Sequence, residues 1–226
     1  MLTHQQICAL VGQSYNVPAT WQCGNDVRAV GTKIGDEFVV AVPGTVNLAQ
    51  WMIDFSAWPK PFPYIGTYHE GFGLWGLKLC EAVLKDLPAN GRVIFAGHSL
   101  GAQLAQVMAA VFAALKHKSA PMRVVTFGCP RGAFMGNLTA PGLIKTALEA
   151  VSYHNCGDPI CEVPPLPMWK HNVSLTEIGS PIHAQAPSMA DHAIALYLSN
   201  LKTLEPQAAG DAARRPGGLC GVDDNW

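Results

Sequence analysis

The chain has 226 residues, 49% of them hydrophobic and 14% charged, with a formal net charge of −1. That length supports one domain with a sizeable core, and the composition excludes a disordered or repetitive chain. A near-neutral balance without a basic stripe argues against a nucleic-acid partner, and no apolar run is long enough to cross a bilayer.

Elements are read in chain order. Thr3 to Tyr15 reads as a helix capped by Thr3, with Ile7, Leu10 and Val11 on one face. Met1 to Asn16 has no Lys or Arg, and its apolar stretch Ile7 to Gly12 is too short for a leader core. No secretory signal is read, and the compartment defaults to the cytoplasm. Glu37 to Val42 reads as a buried strand ending at Pro43-Gly44. Leu48 to Trp58 sets Leu48, Trp51, Met52 and Phe55 at helical spacing, and a proline-rich loop, Pro59 to Pro63, follows. Glu70 to Leu87 reads as a helix with Leu74, Leu77, Cys80, Leu84 and Leu87 as its apolar positions.

Arg92 to Ala96 is a strand and Ala102 to Leu115 a helix; Met122 to Phe127 and Val151 to Asn155 are further strands. Pro141 to Glu149 has a helical pattern, Asn172 to Ile178 alternates like an exposed strand, and Asp191 to Leu204 is a terminal helix. Strands alternating with helices predict an α/β domain with a mostly parallel central sheet and helices on both faces, over residues 1–205. Residues 206–226 lack periodicity and read as a mobile tail. Seven cysteines at irregular spacing give no disulfide framework. Cys8, Cys80 and Cys129 read as small core residues; Cys156 and Cys161 could pair, but free thiols are favoured. No metal-binding spacing is present.

Gly97-His98-Ser99-Leu100-Gly101 joins the strand at Arg92 to the helix at Ala102. A serine at the apex of a strand–turn–helix elbow, with glycines on both sides, is lifted clear of the sheet beside a helix N-terminus. A serine hydroxyl is a poor nucleophile at neutral pH and needs that help. The competing reading is a glycine-rich turn with Ser99 as an N-cap. A nucleophile needs a base, and the base a carboxylate to fix its tautomer. Asp158, in the Gly157-Asp158-Pro159 turn just after the strand Val151 to Asn155, is the candidate acid; it could also be an ordinary turn aspartate. His171, His183 and His192 follow it, and His192, at a loop-to-helix junction, is the preferred base, ahead of His183.

These residues resemble the class-three lipases, a family of the α/β-hydrolase fold, from about Val39 to Leu201. Pro43-Gly44-Thr45 resembles the family's oxyanion loop, Trp51-Met52-Ile53-Asp54 its lid region, and His69-Glu70-Gly71-Phe72 the opening of its next helix. Thr126-Phe127-Gly128-Cys129-Pro130-Arg131, Asn155-Cys156-Gly157-Asp158-Pro159 with Pro164-Pro165, and His192 followed by Tyr197 complete the ordered set. Pro43 stands where the family has arginine, Ala102 where a third glycine is common, and Gly132 to Asn137 spaces out a shorter family motif.

The resemblance implies a Ser99, Asp158, His192 triad, with Leu100 and Thr45 as oxyanion donors and no metal or organic cofactor. It implies an acyl-enzyme on Ser99 and an ester or lipid substrate, such as an acyl glycerol. Leu48, Trp51, Phe55 and Trp58 would belong to a lid that meets lipid, or to an ordinary core-facing helix. A feruloyl or polyester esterase of the same fold is the nearest rival, and a non-catalytic binding protein on a hydrolase scaffold the rival of another class.

Overall fold

A computed structural model describes residues 1–24, 27–45, 58–88, 91–115, 121–180 and 187–204. In chain order they form α1 (His4–Gln13), β1 (Trp21–Cys23), β2 (Val27–Ile34), β3 (Glu37–Val42), β4 (Pro59–Phe62), β5 (Gly66–His69) and α2 (Glu70–Leu84). There follow β6 (Arg92–His98), α3 (Leu100–Leu115), β7 (Met122–Phe127), β8 (Ala133–Phe134), α4 (Thr139–Ile144) and β9 (Glu149–Asn155). A 3-10 turn (Pro159–Glu162), β10 (Trp169–Lys170), β11 (Leu175–Ile178) and α5 (Ile194–Leu204) complete the order.

Seven strands form the main sheet in the order β1-β2-β3-β6-β7-β9-β11. The β1–β2 and β2–β3 pairs are antiparallel; β3, β6, β7, β9 and β11 run parallel. Consecutive strand residues face opposite sides. On one side Val40, Val42, Val93, Phe95 and Val124 pack under α2, α3 and α4. On the other, Val39, Ala41, Ile94, Ala96, Val125 and Phe127 pack under α1 and α5. Covering both faces makes the central strands continuous apolar runs, which is why β3 and β7 are so legible. The carboxyl ends of β3, β6, β7 and β9 lie side by side: Val42 pairs with Gly97, His98 with Phe127, and Phe127 with Tyr153. The loops leaving those ends carry Thr45, Ser99, Gly128 and Asp158.

Several expectations need correction. Pro59 to Phe62 is not a loop but β4, an edge strand of a second sheet ordered β10-β8-β5-β4. Pro59 and Pro61 are two apart, so both missing N–H groups face the same side, which an edge strand can leave open. Helix α2 stops at Leu84, and its buried face is Phe72, Gly73, Gly76, Leu79, Cys80 and Val83. Leu74 is exposed instead. A Cβ at Gly76 would lie 2.6 Å from a methyl of Val107; the close approach of α2 to α3 there turns on a glycine, which a search for leucines overlooks.

Helix α4 is shorter than Pro141 to Glu149, because Glu149 already begins β9. The last helix starts at Ile194, not Asp191, and the edge strand β11 at Leu175, not Asn172. Strands β1 and β2 are not among the expected elements. The described cysteines form no disulfides.

Candidate active site

The elbow differs from expectation in where it bends. The left-handed conformation falls on Ser99 itself, at φ 60°, and not on its glycines. A non-glycine residue held there costs on the order of 1–3 kcal/mol, which the surroundings must sustain. The glycines serve close approach: a Cβ at Gly97 would strike the Gly101 carbonyl, and one at Gly101 the Val42 carbonyl. The Ser99 N–H donates to the Phe127 carbonyl at 3.0 Å, locking the turn to β7. Helix α3 begins at Leu100, so the Leu100 N–H is among those without an intrahelical acceptor.

Asp158 and His192 come together although 34 positions separate them. The His192 Nδ1–H donates to Asp158 Oδ2 at 2.8 Å. Tyr197, on α5, donates its hydroxyl to the same oxygen at 2.5 Å and accepts the Asn155 N–H at 3.0 Å. The Ile160 N–H donates to Asp158 Oδ1 at 2.8 Å, so Asp158 also caps the 3-10 turn. Burial pushes the Asp158 carboxyl up, but the bond and charge of His192 and the bonds from Tyr197 and Ile160 outweigh it and hold the carboxyl below its ordinary value.

Gly128, at φ 58°, sits against this pair: a Cβ there would lie 2.8 Å from the His192 ring and 2.9 Å from Asp158 Oδ2. Ser99, Asp158 and His192 are all buried. Ser99 Oγ and His192 Nε2, the two atoms a proton transfer would join, are buried polar atoms with no hydrogen bond.

The oxyanion-loop candidate abuts the elbow. A Cβ on Gly44 would lie 2.7 Å from the Ser99 Cβ, so Thr45 follows a residue pressed against Ser99. The Gly44 N–H donates to the Tyr15 hydroxyl at 2.7 Å, and Tyr15 lies 2.7 Å from His98 Nδ1. His98 Nε2 lies 2.8 Å from the His192 carbonyl, which can only accept. His98 therefore carries its proton on Nε2, and Tyr15 donates to Nδ1. The His98 and His192 rings stack at 4.5 Å. Burial, then the neighbouring His192, lowers His98 to a pKa of about 3, against the His192 carbonyl bond and Asp158, which raise it; His98 stays neutral.

Of the other candidates, His171 turns its Nε2–H to the Cys161 carbonyl at 3.0 Å. His183, the lid positions Leu48, Trp51 and Phe55, and the tail lie outside the described residues. Trp58 is 72% exposed. Among the described residues no three His, Cys, Asp or Glu side chains gather as a metal set would, and no helix is long and apolar enough to cross a membrane. Sequence reasoning missed Tyr15 and the use made of His98, and it noted Tyr197 only as a landmark. His98 stood inside the elbow motif, but its partners come from the segment after α1 and from the turn before α5, which no local pattern connects.

Comparison with known proteins follows the same lines. A model of the family described as Lipase (class 3) matches residues 39–168. Secreted mono- and diacylglycerol lipase 1 of Fusarium solani is 28% identical over 158 residues, 61% of this chain and 45% of that protein. The chain thus spans under half the length of this curated relative. The crystal structure of a lipase from Rhizopus microsporus var. chinensis superposes with a TM-score of 0.61 at 21% identity, covering 72% of this chain and 61% of that one. The triacylglyceride lipase of Rhizomucor miehei superposes with a TM-score of 0.59 at 19% identity, covering 72% and 65%. At such identities these two structures establish the fold, an α/β-hydrolase sheet with helices on both faces.

Proposed function

The chain belongs to the class 3 lipase family, and from that premise we propose that it is a serine hydrolase of carboxylic esters, with acyl glycerols as the substrate class. The observation that carries this reading is the buried His192–Asp158 bond of 2.8 Å beside a serine held at φ 60° on a strand–helix elbow. An isolated histidine or a cap serine would need neither the strain nor the buried carboxylate.

In this reading the Ser99 Oγ attacks the ester carbonyl carbon while its proton passes to His192 Nε2. Asp158, ionised, keeps the proton on Nδ1 and stabilises the imidazolium that forms. The Leu100 N–H and the Thr45 N–H and hydroxyl bind the oxyanion of the tetrahedral intermediate. Collapse expels the alcohol, which takes the proton from His192 and leaves the acyl group on Ser99. Water, deprotonated by His192, then attacks the acyl carbon; the bond to Ser99 Oγ breaks, Ser99 takes the proton back from His192, and the fatty acid leaves. The Leu48 to Trp58 segment would be the lid through which substrate enters, with the exposed Trp58 at its end. Acyl glycerols are favoured over other esters because the Fusarium relative is named for them, and its being named as secreted leans the compartment away from the cytoplasmic default.

Ser99→Ala tests this. Hydrolysis of mono- and diacylglycerol emulsions should fall on the order of 10⁴- to 10⁶-fold while the circular-dichroism spectrum holds, and fluorophosphonate labelling should vanish. A variant retaining parent-like turnover would overturn the nucleophile assignment.

A further inference from the structure

The loop after β3 is tied to a residue from outside the sheet. It follows a strand end, Val42, and enters a glycine whose backbone is pressed on the Ser99 Cβ. Tyr15, which follows α1, bonds the loop's backbone at Gly44. The Tyr15 hydroxyl accepts the Gly44 N–H at 2.7 Å and donates to His98 Nδ1 at 2.7 Å, and the His98 Nε2–H donates to the His192 carbonyl at 2.8 Å. Every donor and acceptor in this chain is used once and in one direction. It touches three elements of the site: the loop carrying Thr45, the residue before Ser99, and the backbone of His192.

Tyr15 is itself held. It follows helix α1, whose Ile7, Cys8 and Val11 are fully buried against the sheet. The Arg28 guanidinium, from β2, donates to the Ser14 carbonyl at 2.5 Å and also to the Val17 carbonyl, so the backbone is pinned on both sides of Tyr15.

We propose that Tyr15, acting through the Gly44 N–H and His98, is a positioning residue that sets the oxyanion loop against the nucleophile and the base. Its bond to Gly44 fixes the peptide immediately before Thr45, the residue proposed above to donate to the oxyanion. The same hydroxyl orients His98, whose Nε2–H fixes the backbone of His192. The loop, the elbow and the base are thus referenced to one hydroxyl group, and a mis-set oxyanion donor costs rate and not substrate binding.

The inference rests on the ester-hydrolase reading, and the test separates the two. Tyr15→Phe removes one oxygen and keeps the ring. Tyr153→Phe is the matched control, since its hydroxyl lies 2.7 Å from His4, at the start of α1, and not on the Gly44–His98–His192 chain. On a matched ester and thionoester, Tyr15→Phe should lower kcat on the ester by about ten- to a hundredfold with KM nearly unchanged, as expected for weakened transition-state stabilisation. Sulfur accepts hydrogen bonds more weakly than oxygen. The ester-to-thionoester rate ratio should therefore shrink in Tyr15→Phe and hold in Tyr153→Phe.

An unchanged kcat, or a kcat loss with an unchanged ratio, overturns the positioning role. So does a loss that Tyr153→Phe reproduces, because the hydroxyl would then act only on stability. A parent chain that turns over neither ester nor thionoester defeats the hydrolase reading first, and this inference with it.

Discussion

Asp158 accepts bonds from His192, Tyr197 and Ile160, and each has a different consequence. The His192 bond sets the imidazole tautomer. Asp158→Asn keeps the shape but presents an amide, so kcat should fall about 10⁴-fold, as tautomer loss does in serine triads. The Tyr197 bond only helps to hold the carboxylate. Tyr197→Phe should cost about 1.5–3 kcal/mol of stability, the range for a hydrogen bond to a charged group, with a smaller activity loss than Asp158→Asn. Urea unfolding and initial rates on the two variants check this; a Tyr197→Phe enzyme as inactive as Asp158→Asn would mean that the hydroxyl orients the carboxylate and does not merely support it. Because the Asp158 carboxyl sits below its ordinary value in the folded chain, its stabilisation is present above the usual carboxylate range and is lost as pH falls through the lowered value.

Helix α1 shows how an element far from the chemistry enters the site. Its start is fixed by a reciprocal cap: the Thr3 hydroxyl accepts the Gln6 N–H, and the Gln6 side chain accepts the Thr3 N–H at 2.9 Å. Ahead of it, the Leu2 N–H meets Glu37 at 2.5 Å and the Leu2 carbonyl accepts from Arg123 at 2.9 Å. Arg123 also donates to Glu149 at 2.7 Å. These groups lie at the amino ends of β3, β7 and β9, while Tyr15, just past the end of the helix, meets the loop at their carboxyl ends. The helix spans the sheet from one end to the other. Thr3→Ala should cost about 1 kcal/mol, and Ile7→Ala about 2–5 kcal/mol for a buried aliphatic truncation. Chemical denaturation gives both values. An Ile7→Ala protein as stable as the parent would mean that α1 is not docked as described.

At the scale of the molecule, two buried histidines and one half-buried one make folding sensitive to acid. Burial lowers His98 to about 3, and His69 and His171 each to about 4, from an ordinary 6.5. Unfolding releases them to their ordinary value, so below about pH 6.5 the unfolded chain binds more protons than the folded one. Stability should therefore fall as pH drops from 6.5 towards 4, by up to about 1.4 kcal/mol per pH unit for each histidine. It should be insensitive to these groups above 7. Urea titrations at pH 7, 6, 5 and 4.5 measure the slope; a midpoint that stays level from 7 to 5 contradicts the burial of these rings.

The sequence alone determined the alternation of strands and helices, because strands buried on both faces must be continuous apolar runs: Glu37 to Val42 and Met122 to Phe127 coincide with β3 and β7. It singled out Ser99, Asp158 and His192 as candidates, because a nucleophile elbow and a turn after a strand are local patterns; Ser99 follows β6 and Asp158 follows β9, and His192 reaches Asp158 from the turn before α5. Only the tertiary structure decided the rest. The prolines of β4 could be a strand only beside β5, and α2 chose its glycine face only against Val107. Placing the left-handed bend on Ser99 needed the backbone contacts around Gly97 and Gly101. Tyr15, His98 and Tyr197 gained their places through bonds spanning 29 to 94 positions, and no periodicity within one element encodes a hydrogen bond between distant ones.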